Sequence, residues 1–408
     1  MSQTYNDLVT ELAFDNYLEE LPRSSLVLLR TDINSPLSPE GHALLNPRIT
    51  RCAIVLDSFV QYGIKPVILA HQGRPGQDDC VSLASHCALL NSLTEMDLIF
   101  SSENLGVSDD LFNLEQNQGL CLENLRFWPG EKQPEGFPEF KRIFDKDGAF
   151  YIQDAFATSH RKDTSMIPRF EKTRQILGPT FVSDYELVQE VRQMILSKEK
   201  TNLAFGGAKL DKQSDMLSIL QNNVKVFFGG IPAQQLLRAK GYSLGSKNDA
   251  FLASRKGTEN AKDIIQRFGD KIELPRDFFV QGPDGFEMVE TRKMYRHTDS
   301  MILDLGRETI ADYTRLINDN FLLAGPLGMV DKGYWFGTLT LIDNLMLQKQ
   351  IPIKVLGGHS SHLTYRAGLE DKVSLIYAGG AALSVLAGNP IPCLDALKPE
   401  QQGSGVKS

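Results

Sequence analysis

The 408-residue chain has little cysteine, and what it has is scattered. Cys52, Cys80, Cys87, Cys121 and Cys393 are odd in number and no two form a CxxC pair. That excludes a zinc ribbon or a disulfide framework and points to buried thiols in a reducing, cytosolic compartment. No stretch approaches the ~18 uninterrupted apolar residues of a membrane helix. The first residues, MSQTYNDLVTEL, are too polar for a signal peptide. Positive charge is not in surplus: 43 Lys and Arg stand against 51 Asp and Glu, a net charge of −8. A general nucleic-acid binder is thereby excluded, because it needs a basic field. Neither GxxxxGK[ST] nor GxGxxG occurs, so a Walker-type and a Rossmann phosphate site are both excluded. No internal repeat is evident.

What is there is ordinary for a globular protein, 42% hydrophobic and 23% charged, and long enough for two domains. Short apolar runs alternate with helical patterns. The runs are SLVLL (25–29), PVILA (66–70), GLCLEN (119–124), FYIQD (150–154), NLAFGG (202–207), VKVFFGG (224–230), FLLAG (321–325), IKVLGG (353–358) and VSLIYAGG (373–380). Such alternation predicts α/β architecture, parallel sheets covered by helices on both faces. Asn46 and Pro47 suit the cap and first position of a helix that Gly63 ends, and Ser82 suits a second cap. The stretch SDYELVQEVRQMILSKEK (183–200) is charged, periodic and free of Gly and Pro. It reads as a long helix joining two doubly wound domains, four strands before it and at least five after. The expected boundaries are 1–182, the helix 183–200, 201–390, and a tail 391–408 returning to the first domain, its GSGVKS end disordered.

In open parallel sheets ligands sit beyond the carboxyl ends of strands. The first half delivers charge there. LLRTDINSPL (28–37) ends an apolar run with Asp32 and Asn34, which share a face because strand residues i and i+2 do. Read alone it is equally a turn. Later strand ends bring His71 and Arg74, then Arg126, then His160 and Arg161, with Arg48 in the turn after Pro47. Arginine forms bidentate bonds to carboxylate and phosphate, and an Asp/Asn pair suits a hydroxyl. The set fits a small phosphorylated, carboxylated metabolite. Taken singly, each arginine is more simply a solvated surface residue. The second half delivers glycine: GGAK (206–209), GG (229–230), AGPLG (324–328), GGHSS (357–361) and AGG (378–380). Glycine lets backbone N–H groups approach an anion, and a glycine turn opening a helix suits phosphate. Together the halves suit phosphoryl transfer across a cleft that closes, which needs positioning and charge rather than a nucleophile–base pair.

These blocks, in order, resemble the phosphoglycerate kinase family: RTDINSP, HQGRPG, LENLRFWPGE, DAFATSHR, FGGAKLDK, FFGGIPAQQLLRAKGYSLG, AGPLGMV, AGLEDKVSLIYAGGA and CLDAL. DINSP and HQGRPG resemble its archaeal branch. The resemblance implies two doubly wound α/β domains and direct in-line transfer, with domain closure, between 1,3-bisphosphoglycerate and ADP, giving 3-phosphoglycerate and ATP. It implies Mg2+ with the nucleotide, a cytoplasmic enzyme, and no nucleic-acid or membrane partner; monomer or homodimer stays open. It places Asp32, Asn34, Arg48, His71, Arg74, Arg126 and Arg161 on the phosphoglycerate, and Arg48 and Lys209 on the transferring phosphoryl. Nucleotide contacts fall to Gly207, Lys209, Lys212, Gly229, Gly230, Gly325, Asp331, Gly357, Gly358, His359, Ser360 and Ser361; the metal ligand stays unassigned.

Departures cluster in the second half. Ala324 stands where the family has Asn, Asp331 where it has Glu, and Gln213 where it has a second lysine. GGHSS replaces GGGDT, and Ile376-Tyr377-Ala378 replaces Ser-Thr-Gly. His359 is open to a phosphate bond or the metal's outer shell; His42, His86, His297 and His362 read as structural or surface. Two alternatives stay open: a regulatory relative that binds phosphoglycerate with a weakened nucleotide site, and a kinase of another donor or small acid.

Overall fold

The computed structural model describes residues 2–23, 26–102, 114–132, 138–197, 200–207, 218–222, 224–255 and 258–398. The chain forms two units, residues 1–186 with 390–408, and residues 187–389.

The first unit is built on six parallel strands. They are β1 (Leu26–Thr31), β2 (Pro66–Leu69), β3 (Asp97–Ser101), β4 (Gln118–Leu122), β5 (Ala149–Asp154) and β6 (Arg174–Leu177), in the order β3-β4-β2-β1-β5-β6. Every residue of β1 and β5 is buried, as expected of strands covered on both faces. That is why their apolar runs are continuous. Two apolar clusters lie in this unit, one around Leu29, Ile49, Phe59 and Ile152 and one around Leu28, Leu122, Phe144 and Tyr151. The strand β3 alternates between exposed and buried residues and is an edge strand, a pattern too weak to stand out in the sequence. The helix Pro47–Tyr62 begins as expected, with the Asn46 side chain accepting from the Arg48 N–H and Gly63 ending it at φ 68°. Ser82 does bond the start of the second helix, its Oγ accepting from Ala84 N at 3.2 Å. The helix Ala84–Asn91 has Leu83 at its cap position with no side-chain bond. Glu123, just past the end of β4, adds a distant partner, accepting from Leu83 N at 2.9 Å and Ser82 Oγ at 2.8 Å.

The expected 183–200 helix runs over Pro179–Leu196. It starts earlier because Asp154, at the end of β5, accepts from Thr180 N at 2.8 Å and Phe181 N at 3.0 Å. A cap from a distant strand leaves no mark in local sequence.

The second unit carries β7 (Thr201–Phe205), β8 (Val224–Phe228), β9 (Ile272–Glu273), β10 (Asp277–Gly282), β11 (Gly285–Glu290), β12 (Met301–Leu305), β13 (Phe321–Ala324), β14 (Ile353–Leu356) and β15 (Ser374–Ile376). Six form a parallel sheet in the order β15-β14-β13-β7-β8-β9, and β11-β10-β12 form an antiparallel one. The antiparallel sheet is not legible in the apolar runs. The four residues of β11 that follow its turn are exposed, so the stretch reads as polar loop. Its Pro-Asp-Gly turn, 283–285, is the signal that was available.

Candidate active site

In the first unit the carboxyl ends of β1, β2 and β5 lie side by side. The chain past β1 keeps the strand's alternation: Thr31, Ile33 and Ser35 are buried, while Asp32 and Asn34 are partly exposed. The two therefore do share a face. Arg48 meets them from the first turn of its helix. Its Nε lies 3.1 Å from Asp32 Oδ2, and its Nη1 donates to the Asn34 carbonyl at 3.0 Å. Asn34 Oδ1 in turn accepts from Gly73 N at 2.8 Å, tying the β1 loop to the β2 loop. Gly73 has φ 69°, and a Cβ there would stand 2.1 Å from the Asp79 carbonyl oxygen, so only glycine fits.

Beneath this pair lies a buried charge network. Arg30, inside β1, is 1% exposed. Its Nε donates to Ser165 Oγ at 3.0 Å, and its Nη2 lies 2.8 Å from His71 Nδ1. The other ring nitrogen, Nε2, lies 2.6 Å from Glu131 Oε1. Arginine only donates, so Nδ1 is the accepting nitrogen and the proton sits on Nε2. Burial, with Arg30 next, holds the His71 pKa well below its ordinary value, and the ring is neutral. Burial pushes Glu131 up to about 7, against the pull of Arg30. Beside it Asp163 takes Arg126 at 3.3 Å and Lys132 at 2.8 Å. Arg161 is half-buried, and its pKa is lowered by burial and by the Arg126 cation. The Arg126 Nε is buried with no hydrogen-bond partner. Four guanidinium or ammonium groups, Arg30, Arg126, Lys132 and Arg161, thus face two carboxylates, Glu131 and Asp163. This leaves a cationic surplus suited to an anion.

The structure brings Asp32, Asn34 and Arg48 together, and His71 with Arg126. Arg74 stands apart: its side chain is exposed, and its bonds are made by its backbone, the N–H to Asp79 at 3.1 Å and the carbonyl accepting from Gln77 N at 3.0 Å. The sequence motifs do not single out Arg30, Glu131, Asp163 and Ser165. A charged residue inside an apolar strand run was the available signal for Arg30, because a buried charge must be partnered. His71, Glu131 and Asp163 offer ligand atoms within 4.8 Å of one another. Those atoms already serve Arg30, Ser165, Arg126 and Lys132, and the surrounding cations oppose a metal ion.

In the second unit the glycine turns lie at the carboxyl ends of β7, β8, β13, β14 and β15, and several pack on one another. Gly207 N donates to the Pro326 carbonyl at 2.6 Å and Gly230 N to the Leu327 carbonyl at 2.8 Å. A Cβ on Gly206 would stand 2.1 Å from the Pro326 oxygen, and one on Gly379 2.9 Å from Gly357 Cα. Some of this glycine is therefore needed for loop-on-loop approach. Three helices open here, Gly230–Ala239, Gly358–Arg366 and Gly379–Leu386, none with a side-chain cap, so their N-termini suit phosphate. Ser361 is buried and donates to the Val355 or Ile376 carbonyl at 3.3 Å. Ser360 Oγ is buried with no partner. Asp331 is exposed on the turn Val330–Lys332. Ile376 and Ala378 are fully buried, so their added bulk fills the core. Lys209, Lys212 and Gln213 lie outside the described residues, as does the His359 side chain. Among the described residues no helix is long and apolar enough to cross a membrane.

The phosphoglycerate kinase family matches residues 22–389. The chain is 30% identical over 397 residues to the phosphoglycerate kinase of Methanosarcina mazei, covering 92% of this chain and 93% of that one. It is 30% identical to that of Halorubrum lacusprofundi, covering 95% and 98%, and 28% identical to that of Thermoplasma acidophilum, covering 92% and 95%. The crystal structure of phosphoglycerate kinase from Pyrococcus horikoshii OT3 has the same fold, with a TM-score of 0.82 at 24% identity over 95% of this chain and 98% of that one. The chain belongs to the phosphoglycerate kinase family. Its reaction is phosphoryl transfer between 1,3-bisphosphoglycerate and ADP, giving 3-phosphoglycerate and ATP.

Proposed function

We propose that the first unit holds the phosphoglycerate and the second unit the nucleotide, and that the phosphoryl passes directly and in line. The observation that carries the assignment is the cationic surplus around Arg30, Arg126, Lys132 and Arg161 beside the Arg48–Asp32–Asn34 cluster. A doubly charged phosphate and a carboxylate need such a surplus. Asp32 and Asn34 suit the glycerate hydroxyl, since both are partly exposed and their side-chain oxygens, each taking one bond from Asn34 N, Arg48 or Gly73 N, can accept a second. Arg126 and Arg161 suit the distal phosphate. Arg74 joins them from the exposed loop. His71, with both ring nitrogens engaged, supports the site from below.

Mg2+ enters as part of the nucleotide substrate. The Gly357–Ser361 loop offers hydroxyls and backbone but no carboxylate, which suits a metal held by phosphate oxygens and water. Gly207, Gly229, Gly230, Gly325, Gly357 and Gly358 supply close backbone approach, with further nucleotide contacts falling to His359, Ser360, Asp331 and Lys212. Arg48 and Lys209 neutralise charge on the phosphoryl as it moves, and no residue needs to act as nucleophile. The burial of Ala378 supports a working nucleotide site over a purely phosphoglycerate-binding relative, while Tyr377 beside it is partly exposed and is the added bulk that nucleotide binding would report on.

The test is a coupled assay with Mg-ATP and 3-phosphoglycerate, read as NADH loss through an auxiliary dehydrogenase. Arg48→Ala and Lys209→Ala are each expected to lower turnover by about a hundredfold or more. A loss under about tenfold in a folded variant removes that residue from the proposed role.

A further inference from the structure

Arg30 sits in the middle of the charge network yet presents almost nothing to solvent. Its bonds run to Ser165 Oγ, to His71 Nδ1 and to the carbonyl of Thr31. The last fixes the peptide that delivers Asp32, whose carboxylate meets Arg48 at 3.1 Å. The first two lead to one carboxylate. His71 Nε2 donates to Glu131 Oε1 at 2.6 Å, Ser165 Oγ donates to the same oxygen at 2.6 Å, and Ser165 N donates to Glu131 Oε2 at 3.0 Å. Every proton in this ring has one direction. Arg30 can only donate, so His71 and Ser165 accept from it, and each then passes its own hydrogen to Glu131.

Glu131 is 3% exposed, and both its oxygens are already taken by His71 and Ser165, so it acts on the site through those two residues. It is also the carboxylate that offsets Arg30, since the neighbouring Asp163 is committed to Arg126 and Lys132. An amide in its place has one accepting oxygen where three hydrogens now converge. Its NH2 group would face a donor on whichever side it lay, and Arg30 would lose its counter-charge.

We propose that Glu131 and Ser165 are positioning residues of the acceptor site, acting through His71 and Arg30 on the placement of Asp32 and Arg48. The proposal rests on the reading that the first unit holds the phosphoglycerate. It assigns these groups a part in acceptor affinity. A charge network that only filled the core would alter stability and leave the affinity of the folded protein unchanged.

The experiment uses the full chain and compares wild type, Glu131→Gln, Ser165→Ala, the double variant of these two, and Arg48→Ala. Steady-state kinetics give kcat and the separate Michaelis constants for acceptor and nucleotide, with 3-phosphoglycerate as acceptor and Mg-ATP as nucleotide. Calorimetry gives the binding of 3-phosphoglycerate alone. Glu131→Gln is expected to raise the acceptor's Michaelis and dissociation constants by about tenfold or more, the scale of one charge-assisted hydrogen bond. The nucleotide's Michaelis constant should stay within about twofold in the same variant, well under one tenfold step. Ser165→Ala should give a smaller shift of the same kind, and the double variant should fall short of the summed effects because both act through Arg30. Ser165→Ala carries the test alone if Glu131→Gln does not fold. Unchanged acceptor affinity in folded Glu131→Gln or Ser165→Ala, while Arg48→Ala loses it, overturns the positioning role. Unchanged acceptor affinity in Arg48→Ala as well overturns the underlying assignment and the proposal with it.

Discussion

Gly73 shows how tightly single residues are specified around the acceptor loops. Its φ of 69° and the 2.1 Å approach of a Cβ to the Asp79 carbonyl oxygen mean that alanine forces the backbone to move. That movement withdraws the N–H that Asn34 Oδ1 accepts at 2.8 Å. Gly73→Ala is expected to cost about 1–3 kcal/mol and to raise the Michaelis constant for the acceptor without altering that for the nucleotide. Urea denaturation and steady-state kinetics check both, and an unchanged acceptor constant would show that the Asn34–Gly73 bond is dispensable. At this scale the sequence disclosed the residues whose chemistry is visible in one dimension. Asp32 and Asn34 share parity, and Arg48 follows a cap and a proline. Glu131, Asp163 and Ser165 were hidden because their meaning lies in partners 31 to 135 residues away in the chain. Arg30 shares parity with Asp32 and Asn34 but is masked by the apolar run around it.

Elements begin and end here by two kinds of signal, and only one is local. Asn46 caps its own helix, accepting from Arg48 N at 3.0 Å, and its Nδ2 donates to Ser35 Oγ at 2.7 Å. The cap therefore fixes both the helix start and the loop that carries Asn34. Asn46→Ala is expected to destabilise the protein by about 1–2 kcal/mol and, because Arg48 sits two residues on, to lower turnover as well. Asn46→Asp keeps the capping oxygen but loses the donor to Ser35 Oγ and the Leu44 carbonyl, so it should recover only part of the stability. A variant that loses stability with full turnover would separate the cap from the site. The helices at 84–91 and 179–196 take their N-terminal bonds from Glu123 and Asp154, each at the end of a strand far away in sequence. The start at 179 cannot be placed from a local pattern and differs from the boundary that pattern predicts, whereas at 84 the local Ser82 also bonds the Ala84 N–H. The strands buried on both faces were legible as apolar runs, whereas the exposed edge strand β3 and the hairpin strand β11 were not.

The molecule as a whole buries titratable groups of both kinds, and their effects on stability oppose each other. Burial raises Asp304, in the second unit, to about 6, against the pull of its bonds to Gly337 N and Leu305 N. Between the ordinary carboxylate range and about 6 the folded protein holds a proton there that the unfolded chain has released. Stability from this group therefore falls as pH rises through that window. Burial lowers His86, in the first unit, to about 4. Between about 4 and the ordinary imidazole value the unfolded chain is the one holding the extra proton, so stability from this group rises with pH. The wild-type profile is a partial cancellation and reveals neither. Single variants separate them. Relative to wild type, Asp304→Asn should gain stability as pH is raised from 4.5 to 6.5, whatever constant offset its lost acceptor imposes. His86→Gln, whose amide can still bond Gln72 Oε1, should lose relative stability over the same range. Each slope is bounded by about 1.4 kcal/mol per pH unit, the value for one proton. Urea unfolding midpoints across that range give the two slopes directly. Slopes of the same sign would mean that one of these groups keeps its ordinary protonation when buried. Opposite slopes would show that Asp304 and His86 carry opposing proton linkages.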